Sequence, residues 1–444
     1  DTDPRNAYGP YFQRQRVEIY HTYAKSLVER GLAYPCFCTE EELDKVRAKQ
    51  EEDKVLTGYY GEYATCRNLS YEEIEANIKA GKPYVLRLRS QGSPDKEITF
   101  VDAIKGEIKL PENIHDIVLL KKDGIPTYHF AHAIDDHLMR TTTVVRGGEW
   151  LASAPIHYEL FHLLGFKMPA YAHTAHLMKF DEETGGKRKL SKRKDPELSL
   201  DYYRKDGYHP YTMKVYLLTL LNSNFEEWHE KFPDKDINEF PFSVEKMNQS
   251  GALFDKDKLH NICKNELSKL SEEELYDFLY DWAKENEPEN VEKWFGDREK
   301  MLQILRLYMG VGAKRRRKDL MYAKQIFELI SYFFDGESAE EMDEFKLDED
   351  MVSKILKSYL AKYDHNDDNS VWFNKLKEIA DEHGFASDMK AYKANPENFK
   401  GNVSDIAEAV RIAVTGRANT PDLWTIVHIM GEEQMTERIK KHIK

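Results

Sequence analysis

The spacing of apolar residues changes character once along this chain, near Tyr202, and that change bounds the folds open to it. Before that point two periods are mixed. Val17, Tyr20, Ala24, Leu27 and Val28 recur at the spacing of an amphipathic helix, and Gly31 is placed to end it as a left-handed cap. Tyr84, Leu86 and Leu88 alternate with Val85, Arg87 and Arg89, the period-two pattern of a half-buried strand. The apolar run 117–120, the turn signal Lys122-Asp123-Gly124 and a second predicted strand over 127–131 continue the β character. Charged residues over 40–53 and apolar ones over 153–164 predict helices, the latter ending at Gly165. After Tyr202 the strand signal nearly vanishes. Val215, Leu217, Leu218, Leu220 and Leu221 mark a buried helix, and helices are predicted over 253–262, 273–283, 301–309, 322–334, 406–414 and 423–431, with acidic connectors over 338–348 and 365–370. The pattern predicts an α/β front part followed by an all-helical back part, with no internal repeat.

A length of 444 residues implies two to four domains. Hydrophobic residues at 41% are enough for real cores and exclude a disordered chain. No apolar run approaches the roughly 18 residues of a membrane-spanning helix. Four cysteines are too few for a disulfide scaffold, so a reducing cytoplasm is the expected setting. The net charge of −14 argues against a general nucleic-acid coat and leaves room for a local basic site.

Four constellations could carry chemistry. In Lys187-Arg188-Lys189-Leu190-Ser191-Lys192-Arg193-Lys194 six of eight residues are basic, and Gly185-Gly186 precede them. This reads as a mobile loop, either a phosphate clamp or simply solvated. The segment 126–137 carries Tyr128, His129, His132, Asp135, Asp136 and His137, and Arg146-Gly147-Gly148-Glu149-Trp150 follows. Arginine takes a carboxylate bidentately and aromatic rings wall a small pocket, although a strand–helix edge with structural aromatics has the same look. Its three histidines also raise the question of a metal, but their spacing matches no HExxH motif. Cys36-Phe37-Cys38 with Cys66 could supply three zinc ligands; Tyr60 and Tyr63 lie near, the fourth ligand is open, and free thiols are the alternative. Lys314-Arg315-Arg316-Arg317-Lys318 precedes Tyr322, Phe327, Tyr332, Phe333 and Phe334, which suits single-stranded nucleic acid if the aromatics are not simply core.

The order of these motifs is more specific than any one of them. Asp1-Thr2-Asp3, Gly9-Pro10-Tyr11 with Gln13 and Arg16, Ala33-Tyr34-Pro35-Cys36-Phe37-Cys38-Thr39-Glu40-Glu41-Glu42-Leu43, Asp123-Gly124-Ile125-Pro126-Thr127-Tyr128-His129-Phe130-Ala131, Val145-Arg146-Gly147-Gly148-Glu149-Trp150 and Lys189-Leu190-Ser191-Lys192-Arg193 run in sequence. Arg411-Ile412-Ala413-Val414-Thr415-Gly416 with Pro421 closes the series. Together they resemble the glutamate–tRNA ligases (glutamyl-tRNA synthetases) of bacterial type, over essentially the whole chain. Lys189-Leu190-Ser191-Lys192-Arg193 is similar to the KMSKS loop of class I synthetases.

The resemblance implies a Rossmann-like α/β catalytic domain over 1–34 and 116–188, and an α/β tRNA acceptor-binding insertion over 35–115. A helical KMSKS and stem-contact domain over 189–270 and an all-α anticodon-binding domain over 271–444 would follow. It implies ATP-dependent attachment of L-glutamate to tRNA(Glu) through a glutamyl-adenylate, with Mg2+, in a cytoplasmic monomer. Lys189, Ser191, Lys192 and Arg193 would act at the ATP phosphates. Arg146 would pair with a glutamate carboxylate, Tyr128 and His132 would line that pocket, and Glu149 and Trp150 would border it. Asp1 and Asp3 would face the amino acid and the tRNA 3′ end. Leu177 and Met178 would present backbone to adenine, and Cys36, Cys38 and Cys66 would hold zinc, as in some relatives.

Three departures qualify the resemblance. The family's first Rossmann strand and HIGH signature precede Asp-Thr-Asp, and neither stands in this chain, so the expectation is a missing opening unit and a chain that is not competent as written. His132 and Gly148 stand where relatives carry other residues. A non-catalytic RNA-binding relative is therefore the alternative reading. The helical tail argues against a glutamyl-queuosine-type paralogue, which lacks it, and against a glutamine–tRNA ligase, which ends in β-barrels.

Overall fold

The computed structural model describes residues 7–181, 183–334 and 342–444. Asp1 and Asp3, two of the expected substrate-facing residues, lie outside the described residues. The chain divides into two compact units, one running through Lys189 and including Thr219–Phe254, the other formed by Leu190–Leu218 and Asp255–Lys444.

Among the described residues, every strand belongs to the first unit: β1 (Ala33–Cys36), β2 (Val85–Leu88), β3 (Glu97–Asp102), β4 (Gly106–Pro111), β5 (Val118–Leu120), β6 (Thr143–Gly147), β7 (Ala170–Thr174), β8 (Leu177–Phe180), β9 (Lys187–Lys189) and β10 (Ala252–Leu253). They form three sheets, ordered β1-β2-β5, β4-β3-β7-β6 and β10-β8-β9. In the four-stranded sheet β6 and β7 run parallel with Arg146 opposite His173, and β3 and β4 form an antiparallel hairpin. The unit's main helices are α1 (Val17–Glu29), α2 (Glu40–Glu52), α3 (Tyr71–Lys79), α4 (Tyr128–Leu138) and α5 (Ala154–Leu164).

Local chemistry explains several boundaries. Thr39 and Glu42 form a reciprocal capping box at the start of α2, and Ser70 and Glu73 do the same for α3. Gly31 follows α1 at φ 70° and Gly165 ends α5 at φ 71°, a left-handed conformation that glycine adopts without a Cβ clash. Tyr20, Ala24 and Leu27 of α1, Leu86 and Leu88 of β2, Leu119 of β5, Phe130 and Ile134 of α4 and Leu160 and Phe161 of α5 close one core.

The structure corrects three sequence expectations. Residues 127–131 are not a strand: Thr127 is the extended N-cap and α4 begins at Tyr128. Thr, Tyr and Phe favour strands locally, but Phe130, Ala131, Ala133 and Ile134 are all buried, a set that only a helix can turn to one core. β2 is not half-buried in the alternating sense. Arg87 is also buried, donating to the Asp116 carbonyl at 2.9 Å and lying 4.1 Å over the Tyr59 ring. Residues 187–194 are not one mobile loop. Lys187–Lys189 pair with Phe180–Met178 as β9, Leu190 is buried, and the next residues form a tight turn in which the backbone N–H groups of Lys194 and Asp195 both donate to the Ser191 carbonyl.

The second unit is helical, with elements at Lys256–Leu267, Glu272–Asn286, Arg298–Met309, Ala323–Ile330, Glu349–Lys362, Asn369–His383, Val403–Thr415, Leu423–Met430 and Glu432–Lys440 among others. The helix expected from 253 starts at Lys256, because Ala252–Leu253 pair with β8 and Asp255 accepts from the Lys258 N–H as a cap. One core, from Leu267 to Ile439, joins these helices and takes in Phe327, Tyr332 and Phe333. The aromatics beside the basic run are therefore mostly core.

Candidate active site

The arginine and aromatic motifs converge in the first unit. On a strand Tyr128 and His132 would stand about 13 Å apart, four residues at roughly 3.3 Å each. On α4 they are i and i+4, and their rings stack 5.7 Å apart. The Trp150 ring lies 4.6 Å from that of Tyr128, delivered by the turn that follows β6. His132 is buried with both nitrogens engaged: Nε2 meets the Tyr171 hydroxyl at 2.7 Å and Nδ1 pairs with Asp136. It shapes the wall through Tyr128 rather than by a free polar atom.

Arg146, near the end of β6, donates from Nε to His173 Nε2 at 2.9 Å, from Nη1 to His157 Nδ1 at 3.2 Å and from Nη2 to the Trp150 carbonyl at 3.4 Å. Its guanidinium lies 4.8 Å from the centre of the Tyr171 ring. An arginine is always a donor, so each histidine nitrogen it meets carries no proton. Burial, helped by interactions with His132 and then Arg146, holds His157 at a pKa of about 2, and burial also lowers that of His173. Among the described residues, the three hydrogen bonds of Arg146 thus all go to neutral acceptors. A partly buried cation whose contacts are neutral and aromatic is a seat for an anion. Glu149 is exposed and has His176 Nδ1 3.4 Å from its carboxylate. Gly148 sits where an added Cβ would come 3.2 Å from the Thr174 carbonyl, so a larger residue there would have to move its neighbour.

Within the second unit, Asp195 is buried and its carboxylate accepts from the Ser191 N–H at 2.8 Å, which holds the turn while Lys192, Arg193 and Lys194 stay exposed.

Cys36, Cys38 and Cys66 place their sulfurs within 4.8 Å of one another, with Cys38 and Cys66 at 3.5 Å. Zinc at about 2.3 Å from each thiolate sets sulfurs about 3.8 Å apart in a tetrahedron, so the spacing fits. The oxygen nearest the three sulfurs that could serve as a fourth donor is the Tyr59 hydroxyl, 3.4 Å from the Cys36 sulfur and 3.2 Å from that of Cys38. Tyr60 and Tyr63 turn elsewhere, to the Leu56 carbonyl and to Asp53. The three histidines do not assemble. His137 stacks on Phe166, and Asp135 is taken by Arg16 and Tyr20.

Comparison with known proteins gives this geometry a family. Residues 2–261 match the model of the class I tRNA synthetase (E and Q) catalytic domain, and residues 274–443 match that of an anticodon-binding domain. A glutamate–tRNA ligase of Acetivibrio thermocellus is 53% identical over 436 residues, 98% of this chain and 79% of the relative. That of Clostridium perfringens is 46% identical over 100% of this chain and 80% of its own length. The chain belongs to the glutamate–tRNA ligases. A crystal structure of a glutamate–tRNA ligase from Elizabethkingia meningosepticum in complex with its amino acid superposes with a TM-score of 0.74, at 26% identity, over 98% of this chain and 84% of that one. The front α/β and back helical parts are the class I catalytic domain and the anticodon-binding domain of this ligase family.

The remaining expected residues are dispersed. Leu177 and Met178 lie on β8, paired with β10, and the Met178 carbonyl accepts from the Phe254 N–H at 2.7 Å. Lys189 pairs with Met178 on the other side. Sequence reasoning missed Asp102, His157, Tyr171 and His173, which surround Arg146 and its neighbours. One signal was available: Ile98, Phe100 and Asp102 fall on the same face of β3, and an acid on the buried face of an alternating strand requires partners.

Proposed function

We propose that Arg146 holds a carboxylate of the substrate L-glutamate during its ATP-dependent attachment to tRNA(Glu), the reaction of the family to which this chain belongs. The carboxylate takes the guanidinium's open end, with Tyr128 and Trp150 as flanking rings and Glu149 at the rim. The α-carboxylate of glutamate attacks the α-phosphate of ATP, giving glutamyl-adenylate and pyrophosphate. The terminal adenosine of the tRNA then accepts the glutamyl group. The chain's part is positioning and charge stabilisation, with no covalent intermediate on the protein. Lys192, with Lys189, Ser191 and Arg193, is assigned to the phosphates, where Mg2+ would share the charge. Leu177 and Met178 are assigned to the adenine, and Asp1 and Asp3 to the amino acid and tRNA end. Residues 35–115 are assigned to the acceptor stem, and zinc bound by Cys36, Cys38, Cys66 and Tyr59 would staple that segment. In the helical unit, a cavity of about 650 Å3 lined by Arg306, Arg315, Arg317 and His428 is assigned to anticodon bases. No helix among the described residues is long and apolar enough to cross a membrane. A monomer in the compartment of translation accords with these assignments, and the non-catalytic alternative is not favoured.

The observation that carries the glutamate assignment is that the hydrogen bonds of Arg146 among the described residues go to two histidines and a carbonyl, and none to a carboxylate. In Arg146→Lys a point charge replaces the planar fork, and the glutamate KM is expected to rise about tenfold or more while the ATP KM stays within about twofold. A glutamate KM unchanged in the full-length enzyme removes Arg146 from this role.

A further inference from the structure

We infer that Asp102, acting through His173, is the positioning group that aims the Arg146 guanidinium at its carboxylate. The inference rests on the assignment of Arg146 above and names what holds that side chain in place.

Asp102 closes β3 and is buried, 1% exposed. Its Oδ1 accepts the backbone N–H groups of Ile104 and Lys105, both at 2.9 Å, so the carboxylate is anchored by the turn that follows the strand. Its Oδ2 accepts twice from His173, from the backbone N–H at 3.0 Å and from ring Nδ1 at 2.6 Å. Those four donated hydrogens fit a carboxylate, which only accepts. Burial alone would raise the Asp102 pKa, but the bonds from His173 and the two backbone groups outweigh it and keep the group ionised. His173 is fully buried on β7, directly opposite Arg146 on β6.

The proton positions then follow without choice. Asp102 takes the hydrogen of Nδ1, so His173 in its neutral form presents a bare Nε2. That lone pair accepts the Nε–H of Arg146 at 2.9 Å. With His157 and the Trp150 carbonyl taking one hydrogen from each terminal nitrogen, three of the five guanidinium hydrogens are used. Two remain, one on each terminal nitrogen, and Nε is occupied. The side-on fork through Nε is closed, and a carboxylate must take its hydrogens from the two terminal nitrogens.

Asp102→Asn breaks this logic while conserving volume. The amide can still accept from Ile104 and Lys105 only by turning its NH2 toward His173. Nδ1 must then become the acceptor, the ring proton moves to Nε2, and a donor faces the Arg146 Nε–H. His173→Asn breaks it from the other side, because it keeps a donor for Asp102 and loses the acceptor for Arg146. Both variants are expected to raise the glutamate KM about ten- to hundredfold, the weight of a hydrogen bond to a charged group. Aminoacylation kinetics of the full-length enzyme provide the test, with the ATP and tRNA KM values expected to stay within about twofold. The inference is overturned if the glutamate KM of either folded variant is unchanged, or if all three KM values rise together as a general loss of structure predicts. Should Asp102→Asn not fold, His173→Asn carries the same test. Arg146→Lys, run beside them, separates the two claims. A raised KM there with unchanged KM in the other two defeats only the positioning role; no change in Arg146→Lys defeats the glutamate assignment on which it stands.

Discussion

Arg146 shows how one side chain's function is written in its neighbours' protonation. The guanidinium cannot lose its proton, so His157 and His173 must stay neutral beside it, and burial enforces the same state. This has a pH consequence. In the unfolded chain His157 titrates at its ordinary 6.5, while in the folded protein its pKa is about 2. Between those values the unfolded state binds more protons, so this contribution to stability is intact above about pH 6.5 and falls by about 1.4 kcal/mol per pH unit below it. His157→Gln keeps an acceptor for Arg146 and removes the titration. Urea denaturation from pH 7.5 to 5 is expected to show a steeper loss for the parent than for the variant, and equal slopes would refute the assignment of a neutral buried His157. Lys192 raises a second residue-scale question, because its basic neighbours offer an alternative. If it meets the ATP phosphates as charge develops, Lys192→Ala lowers kcat by about 10²–10³, and Lys194→Ala, beyond the motif, changes little. A diffuse patch for tRNA phosphates would make the two variants alike, with weaker tRNA binding and a flatter salt dependence.

At the scale of elements, α4 decides whether the Tyr128 and His132 rings meet at all. A β-prone sequence is drawn into a helix by four buried side chains, and only then do Tyr128 and His132 share a face. The cysteine segment makes the opposite point. β1 and the turn containing Tyr59 bring Cys36 and Cys38 together with Cys66, 28 residues beyond Cys38, and hydrogen bonds from the Cys38 and Cys66 thiols lower the pKa of Cys36. A metal bound there would be expected at about one zinc per chain by elemental analysis. Stripping it with a chelator would lower the thermal midpoint and free three reactive thiols. Purified protein with no zinc and three readily titrated thiols would count against the site.

For the whole molecule, Arg146 and its neighbours belong to the α/β unit, while Lys192 and the residues that match the anticodon-binding domain belong to the helical unit. The helical unit shares one core from Leu267 to Ile439, so truncation at any helix would expose it, and point substitutions are the better probe. Arg315 lines the larger cavity, and Arg417 lines a second of about 570 Å3 that shares Arg317. Arg315→Ala and Arg417→Ala are each expected to weaken tRNA(Glu) binding, with the glutamate and ATP KM values unchanged. Where the contact is to phosphate, the salt slope would drop by about one. Undiminished tRNA affinity in both variants would assign the cavities some other role.

Read alone, the sequence determined the order of α/β and helical parts, the family through its ordered motifs, and the helix ends at Gly31 and Gly165. All of these depend on residues close in the chain, where periodicity and backbone preference act directly. It also identified Tyr128, Arg146 and Trp150 together, because they fall within 23 residues of one another. Only the tertiary structure decided that residues 128–131 are helical, that Tyr59 rather than Tyr60 or Tyr63 meets the thiols, and that Asp102 and His173 stand behind Arg146. These outcomes depend on partners 20 to 70 residues away, and on burial, which sets the proton positions and the cost of an unpaired charge. Neither exists until strands distant in sequence pair side by side.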